Sequence, residues 1–159
     1  MQVPYEVRDS TFGRGIFATA AIATGTCVWR RSAACLTAIP SDEACDYVAQ
    51  LEPVALRNLL EYAYFGAGGS LIDLSRDDGR FFNHSGSQSN VALGSVLVAA
   101  AATTVPEGIE AGSTYAVRDI ADGEELLDDY NTYGEEPQWY LDLLASAGVD
   151  TSYLDTEAG

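Results

Sequence analysis

Short β-prone runs, each cut off by glycine, proline or an Asp/Ser turn, fill most of this chain, and that punctuation leaves little room for long helices. Val3 to Arg8 predicts an opening strand, with Asp9-Ser10-Thr11 as turn chemistry after it. Thr26 to Arg30, Leu71 to Leu74 and Thr114 to Arg118 predict further short strands. Val91 to Val105, broken by Gly94, reads as one or two strands, although its alanine run suits a helix equally well. The period changes once, at Ser41. This serine is placed to cap a helix whose first turn carries Asp42 and Glu43 at the positive end of the dipole. Pro53 opens a second helical run, Val54 to Phe65, with Leu56, Leu59, Leu60 and Tyr64 on one face, and Gly66 to Gly69 end it. Trp139, Tyr140, Leu141, Leu143 and Leu144 predict a last helix of about two turns. The expected architecture is mostly β with a small helical insert at 41–66. It forms one domain over residues 1–159, with a core at about 3–131 and a closing segment at 132–159.

Charge narrows the partners. The chain has 24 acidic and 8 basic residues, a net charge of −16, and every basic residue is arginine. Such a surface repels phosphate backbones, which argues against direct nucleic-acid binding and favours steering of a basic protein or peptide. Cys27, Cys35 and Cys45 are odd in number and lack metal-type spacing, so neither a disulfide framework nor a zinc site is expected, and a reducing intracellular setting fits best. No apolar stretch reaches the roughly 20 residues of a membrane span, and the start lacks a signal-peptide pattern, so no membrane role is expected.

Three blocks carry the candidate chemistry. The first is Gly13-Arg14-Gly15-Ile16-Phe17-Ala18, where two glycines let the backbone come directly against a ligand; taken alone, it reads as a turn. The second, Arg80-Phe81-Phe82-Asn83-His84-Ser85 with Asn90, holds the only histidine and reads as a buried strand emptying into a polar turn. Asn83 and His84 beside two phenyl rings need partners, and an Asx-type turn capped by its own side chains would supply them. The third runs from Ala116 through Gly123-Glu124-Glu125-Leu126 to Asp129-Tyr130-Asn131.

In this order and spacing the blocks resemble the SET domain, a family of S-adenosylmethionine-dependent protein-lysine methyltransferases. The likeness covers roughly residues 3 to 131. It implies a β-clip fold with a knot-like C-terminal threading that brings Tyr130 beside Asn83. It also implies S-adenosyl-L-methionine as cofactor, S-adenosyl-L-homocysteine as product, and a basic peptide such as a histone tail as substrate. Carried over by position, Gly13, Arg14 and Gly15 contact the cofactor's methionine part through the main chain, and Asn83 and His84 hold its amino group and adenine. Tyr130 becomes the catalytic tyrosine, Tyr115 and Asp128 line the substrate channel, and no metal is involved. The sequence departs from the family pattern at Gly86 and Ser89, with one extra residue before Asn90, and at Asp128, where Phe or Tyr is usual. Flanking zinc clusters are not expected, so Trp139 or Tyr140 is the candidate for closing the cofactor pocket, with a plain hydrophobic plug as the alternative for Trp139. A peptide-binding module without turnover, or a methyltransferase for a non-histone protein, fits the same residues.

Overall fold

The structure, a computed structural model, describes residues 1–66, 68–100 and 108–149. The chain divides into two compact units. The first comprises Met1–Ser32 and Phe81–Asp129, the second Ala33–Arg80 and Tyr130–Gly159.

The first unit is built from short strands. Tyr5–Ser10 and Gly13–Ala18 form an antiparallel hairpin with Ser10 opposite Gly13. The Gly-Arg-Gly motif therefore starts a strand rather than forming a free turn. Gly13 takes φ +103°, the positive value that closes the hairpin and that residues with a Cβ avoid. Cys27–Trp29, Thr114–Ala116 and Val91–Leu93 make a three-stranded antiparallel sheet with Thr114–Ala116 in the middle. Leu127–Asp128 pairs in parallel with Asn83–His84, a contact across more than forty residues of sequence. The apolar stretch from Val91 resolves into the strand Val91–Leu93 and a helix, Gly94–Ala100; its remainder lies outside the described residues. Phe81 and Phe82 are buried as expected, but Phe81 ends a 3-10 turn, Asp78–Phe81, and the strand after it is only Asn83–His84.

The second unit combines the insert with the tail. Its first helix, Ser41–Ala49, begins directly after Pro40, and no side chain caps it; Ser41 is the first helical residue instead. The fixed proline φ sets the entry that the serine was expected to provide. Pro53 does open the second helix, Pro53–Tyr62, which stops three residues before the predicted end. Ala63–Phe65 goes extended and pairs with Leu71–Asp73, which also pairs with Thr37–Ile39. Sheet pairing overrides helical periodicity there, so Tyr64 stands on a strand. The last helix, Gln138–Ala147, is nearly three turns long. Ile39, Ala44, Val48, Leu59, Leu60, Phe65, Leu71, Tyr140 and Leu144 bury one apolar cluster. Among the described residues no helix is long and apolar enough to cross a membrane.

Candidate active site

In the first unit the three sequence blocks meet through hydrogen bonds. The Gly13–Ala18 strand uses its second edge on the third block: Leu126 N–H donates to Ile16 O at 2.8 Å, and Ala18 N–H donates to Glu124 O at 2.9 Å. Asn90, fully buried, ties the second block to the third. Its Nδ2 donates to Glu125 O at 2.7 Å and to Glu124 Oε1 at 3.1 Å, while its Oδ1 accepts from Leu127 N–H at 2.9 Å. Ser85 N–H donates to Asp128 O at 2.9 Å, extending the parallel pairing by one bond.

Asn83 does not cap its own turn. Its Nδ2 donates to Glu125 Oε1 at 2.7 Å and to Arg14 O at 3.0 Å, so one amide joins all three blocks. Ser85 supplies the local cap instead, its Oγ accepting from Gln88 N–H at 3.1 Å. Gly15 leaves room for this crossing. A Cβ there would lie 2.1 Å from Glu125 Oε1 and 2.9 Å from Asn83 Nδ2, closer than real Cβ atoms approach. The acceptors gathered here, the Arg14 carbonyl and the Asn83 amide oxygen, suit an ammonium group of the kind carried by an amino-acid moiety.

His84 Nδ1 lies 3.9 Å from Asp129 Oδ1, at the outer limit of an ion pair. Asp128 is buried opposite His84, with its Oδ1 accepting from Asp129 N–H at 2.8 Å. Arg118, hydrogen-bonded to Glu124 Oε1 at 2.6 Å, holds that carboxyl down at about 2. Partial burial opposes this, and the Ala121 N–H and Asn90 amide reinforce it. Tyr115 is buried in the middle strand of the sheet, its hydroxyl accepting from Glu110 N–H at 2.9 Å and reaching Gly108 O at 3.4 Å.

In the second unit Tyr130 opens a 3-10 turn, Tyr130–Thr132, and belongs to an aromatic stack. Tyr130 and Tyr133 ring centroids are 5.4 Å apart, and Tyr133 and Tyr64 are 4.3 Å apart, both pairs nearly parallel. Glu136, farther along the same segment, is pushed above the usual carboxylate range by burial, against an opposing hydrogen bond from Phe65 N–H. Trp139, partly buried, meets Phe65 edge-on at 6.1 Å and Tyr140 at 5.5 Å. Tyr140 has no exposed surface at all.

The first unit thus joins Arg14, Gly15 and Asn83 at one junction, with Gly13 at the head of the same strand, His84 and Asp128 paired across the adjoining short strands, and Tyr115 in the three-stranded sheet; Tyr130 and Trp139 belong to the second. Glu125 and Ser10 were missed as site residues, and Asn90 had no role assigned. Ser10 Oγ donates to Glu125 Oε2 at 2.9 Å, so the carboxylate is bound at both ends. The signal for Glu125 was available: an acid beside Leu126 and Leu127, where a buried strand tolerates charge only if it is hydrogen-bonded.

Comparison with known proteins adds three findings. The family model described as SET domain matches residues 13–131. Among solved structures, the Neurospora SET domain protein DIM-5, a histone lysine methyltransferase, superposes with a TM-score of 0.54 at 23% identity; the match covers 86% of this chain and 55% of that one. A Plasmodium falciparum protein provisionally described as a histone methyltransferase matches at 19% identity with a TM-score of 0.45, over 87% of this chain and 99% of the other. Comparison with curated protein sequences finds no match. The DIM-5 superposition shows a shared fold, and this chain spans little more than half of that protein's length.

Proposed function

This chain belongs to the SET-domain family, and from that membership we propose that it is an S-adenosylmethionine-dependent protein-lysine methyltransferase acting on a basic peptide such as a histone tail. The observation that carries the reading is the Asn83 amide. It is held by Arg14 O and Glu125 Oε1 at the crossing of all three motif blocks, beside a glycine whose missing side chain makes the crossing fit.

When bound, S-adenosylmethionine supplies an electrophilic methyl group on its sulfonium. Gly13, Arg14 and Gly15 bind it through the main chain, and Asn83 and His84 hold its amino group and adenine. Tyr130 is assigned to the reacting centre. Methyl transfer to an amine is an in-line displacement that depends on alignment more than on acid-base groups. The Tyr130 hydroxyl therefore orients the incoming amine and supports the developing charge; an ordinary tyrosine, with a pKa of about 10, is a poor base at neutral pH. The lysine ammonium, ordinarily near a pKa of about 10.4, sheds its proton through desolvation and the nearby positive charge. The net charge of −16 favours a basic substrate by steering its approach.

Calorimetric titration with S-adenosylmethionine, paired with label transfer to histone peptides, tests the reading. Tyr130→Phe should lower turnover by about 100-fold or more while leaving cofactor affinity nearly unchanged. Loss of cofactor binding in that variant counts against the assigned role. Cofactor binding by the unaltered chain, without transfer to any basic peptide, would identify a binding module instead.

A further inference from the structure

We propose that Glu125 is a positioning residue that fixes which end of the Asn83 amide faces the cofactor. The inference rests on the assignment of Asn83 to the cofactor's amino group. An asparagine amide can rotate end for end, presenting either donors or an acceptor, and only its neighbours decide which. Here both neighbours are acceptors. Glu125 Oε1 lies 2.7 Å from Nδ2 and the Arg14 carbonyl 3.0 Å from it, so both N–H bonds of the amide point into the protein. The oxygen is left as the outward end, and no described residue donates to it. An ammonium group needs that end, since it brings only donors.

The Glu125 carboxylate is itself pinned. Its Oε2 accepts from Ser10 Oγ at 2.9 Å, and that hydroxyl also accepts from Phe12 N–H at 3.3 Å. Its backbone bridges to Phe17, so side chain and main chain are both anchored on the hairpin that carries the glycine motif. Gly15 completes the arrangement, since a Cβ there would displace Glu125 Oε1. The chain Phe12–Ser10–Glu125–Asn83 thus sets a binding group's polarity from behind, without contacting the ligand.

Titration calorimetry with two ligands tests this. S-adenosylhomocysteine carries the amino-acid part, whereas 5′-methylthioadenosine lacks it. Glu125→Met keeps the side chain's length and removes its acceptor. It should weaken S-adenosylhomocysteine by about tenfold, the scale of one hydrogen bond to a charged partner, and leave 5′-methylthioadenosine unchanged. Glu125→Gln should restore S-adenosylhomocysteine to within about threefold, because its oxygen can take the Asn83 N–H while its amide donates to Ser10. Equal weakening of both ligands, or of neither, overturns the proposal. If Glu125→Met does not fold, Ser10→Ala carries the same comparison: a selective loss of about threefold supports the proposal and an unchanged ratio of the two affinities overturns it. Failure of the unaltered chain to bind S-adenosylhomocysteine overturns the cofactor assignment itself, a separate outcome.

Discussion

Both units bury apolar side chains, and they differ in what else they enclose. The first carries its motif residues in a polar lattice: Asn90, Ser113, Thr114 and Asp128 are all buried there, and strands as short as Asn83–His84 and Leu127–Asp128 are held by side-chain bonds as much as by ladder bonds. The second closes around aliphatic and aromatic side chains, with Tyr140 and Phe65 fully enclosed and Asp73 its one buried charged or polar residue among those described. Polar lattices demand specific residue types, because each buried group must find its own partner. Apolar clusters demand volume and tolerate exchange. The Gly-Arg-Gly and Asn-His motifs thus sit in the unit that can least afford substitution.

The largest effect expected from this contrast lies in the second unit. Tyr140→Ala should destabilise the chain by about 3–5 kcal/mol in denaturant unfolding, the usual cost of emptying an enclosed aromatic site. Tyr140→Phe keeps the ring that fills the site and should cost about 1 kcal/mol, the scale of one hydrogen bond. If the phenylalanine variant proves as unstable as the alanine one, the second unit is polar in its energetics and the comparison fails. Next comes Asn90→Leu in the first unit, which keeps the branched heavy-atom skeleton and replaces both polar atoms by methyl groups. It should cost about 3 kcal/mol, because it leaves Leu127 N–H and Glu125 O buried without their partner. A loss below about 1 kcal/mol would mean that the lattice repacks as freely as an oily core.

The same contrast explains what could be read from the sequence. Turn residues and β-prone runs located the strands at Tyr5–Ser10, Cys27–Trp29, Leu71–Asp73, Val91–Leu93 and Thr114–Ala116, and Pro53 located a helix start, because these signals are local. Ala63–Phe65 was misread as helix since its partner, Leu71–Asp73, outweighs its own periodicity. Gly13-Arg14-Gly15 read as a turn for a related reason: the partners that make it a strand, Tyr5–Ser10 on one edge and 123–126 on the other, lie elsewhere in the chain. At the site, the motif residues were legible by resemblance, whereas the parts played by Glu125 and Ser10 were not. They act on Asn83 through space, and only coordinates bring residues 10, 83 and 125 to one point. Tyr140 was a candidate lid because an aromatic in a tail is ambiguous; its burial is set by the insert packed around it.

The smallest effect concerns Glu124, where charge rather than shape enters the first unit's lattice. Its carboxyl drops from the ordinary 4.5 to about 2 in the folded chain, mainly through the hydrogen bond from Arg118. A depressed folded value means that the unfolded chain takes up protons first as acid is added. The stabilisation is therefore complete above about 4.5 and is lost as pH falls toward about 2. Both side chains remain partly in water, so the pair is worth on the order of 1 kcal/mol or less, and salt should weaken it further. Glu124→Gln keeps the side chain's shape and its capacity to accept from Asn90. Its deficit relative to the unaltered chain, measured by denaturant unfolding at neutral pH, should shrink steadily through that acid window and vanish near its lower end. A deficit that stays constant with pH would show that Glu124 serves by geometry alone, which would make the lattice around Asn90 a matter of fit and hydrogen-bond count, with its charges incidental.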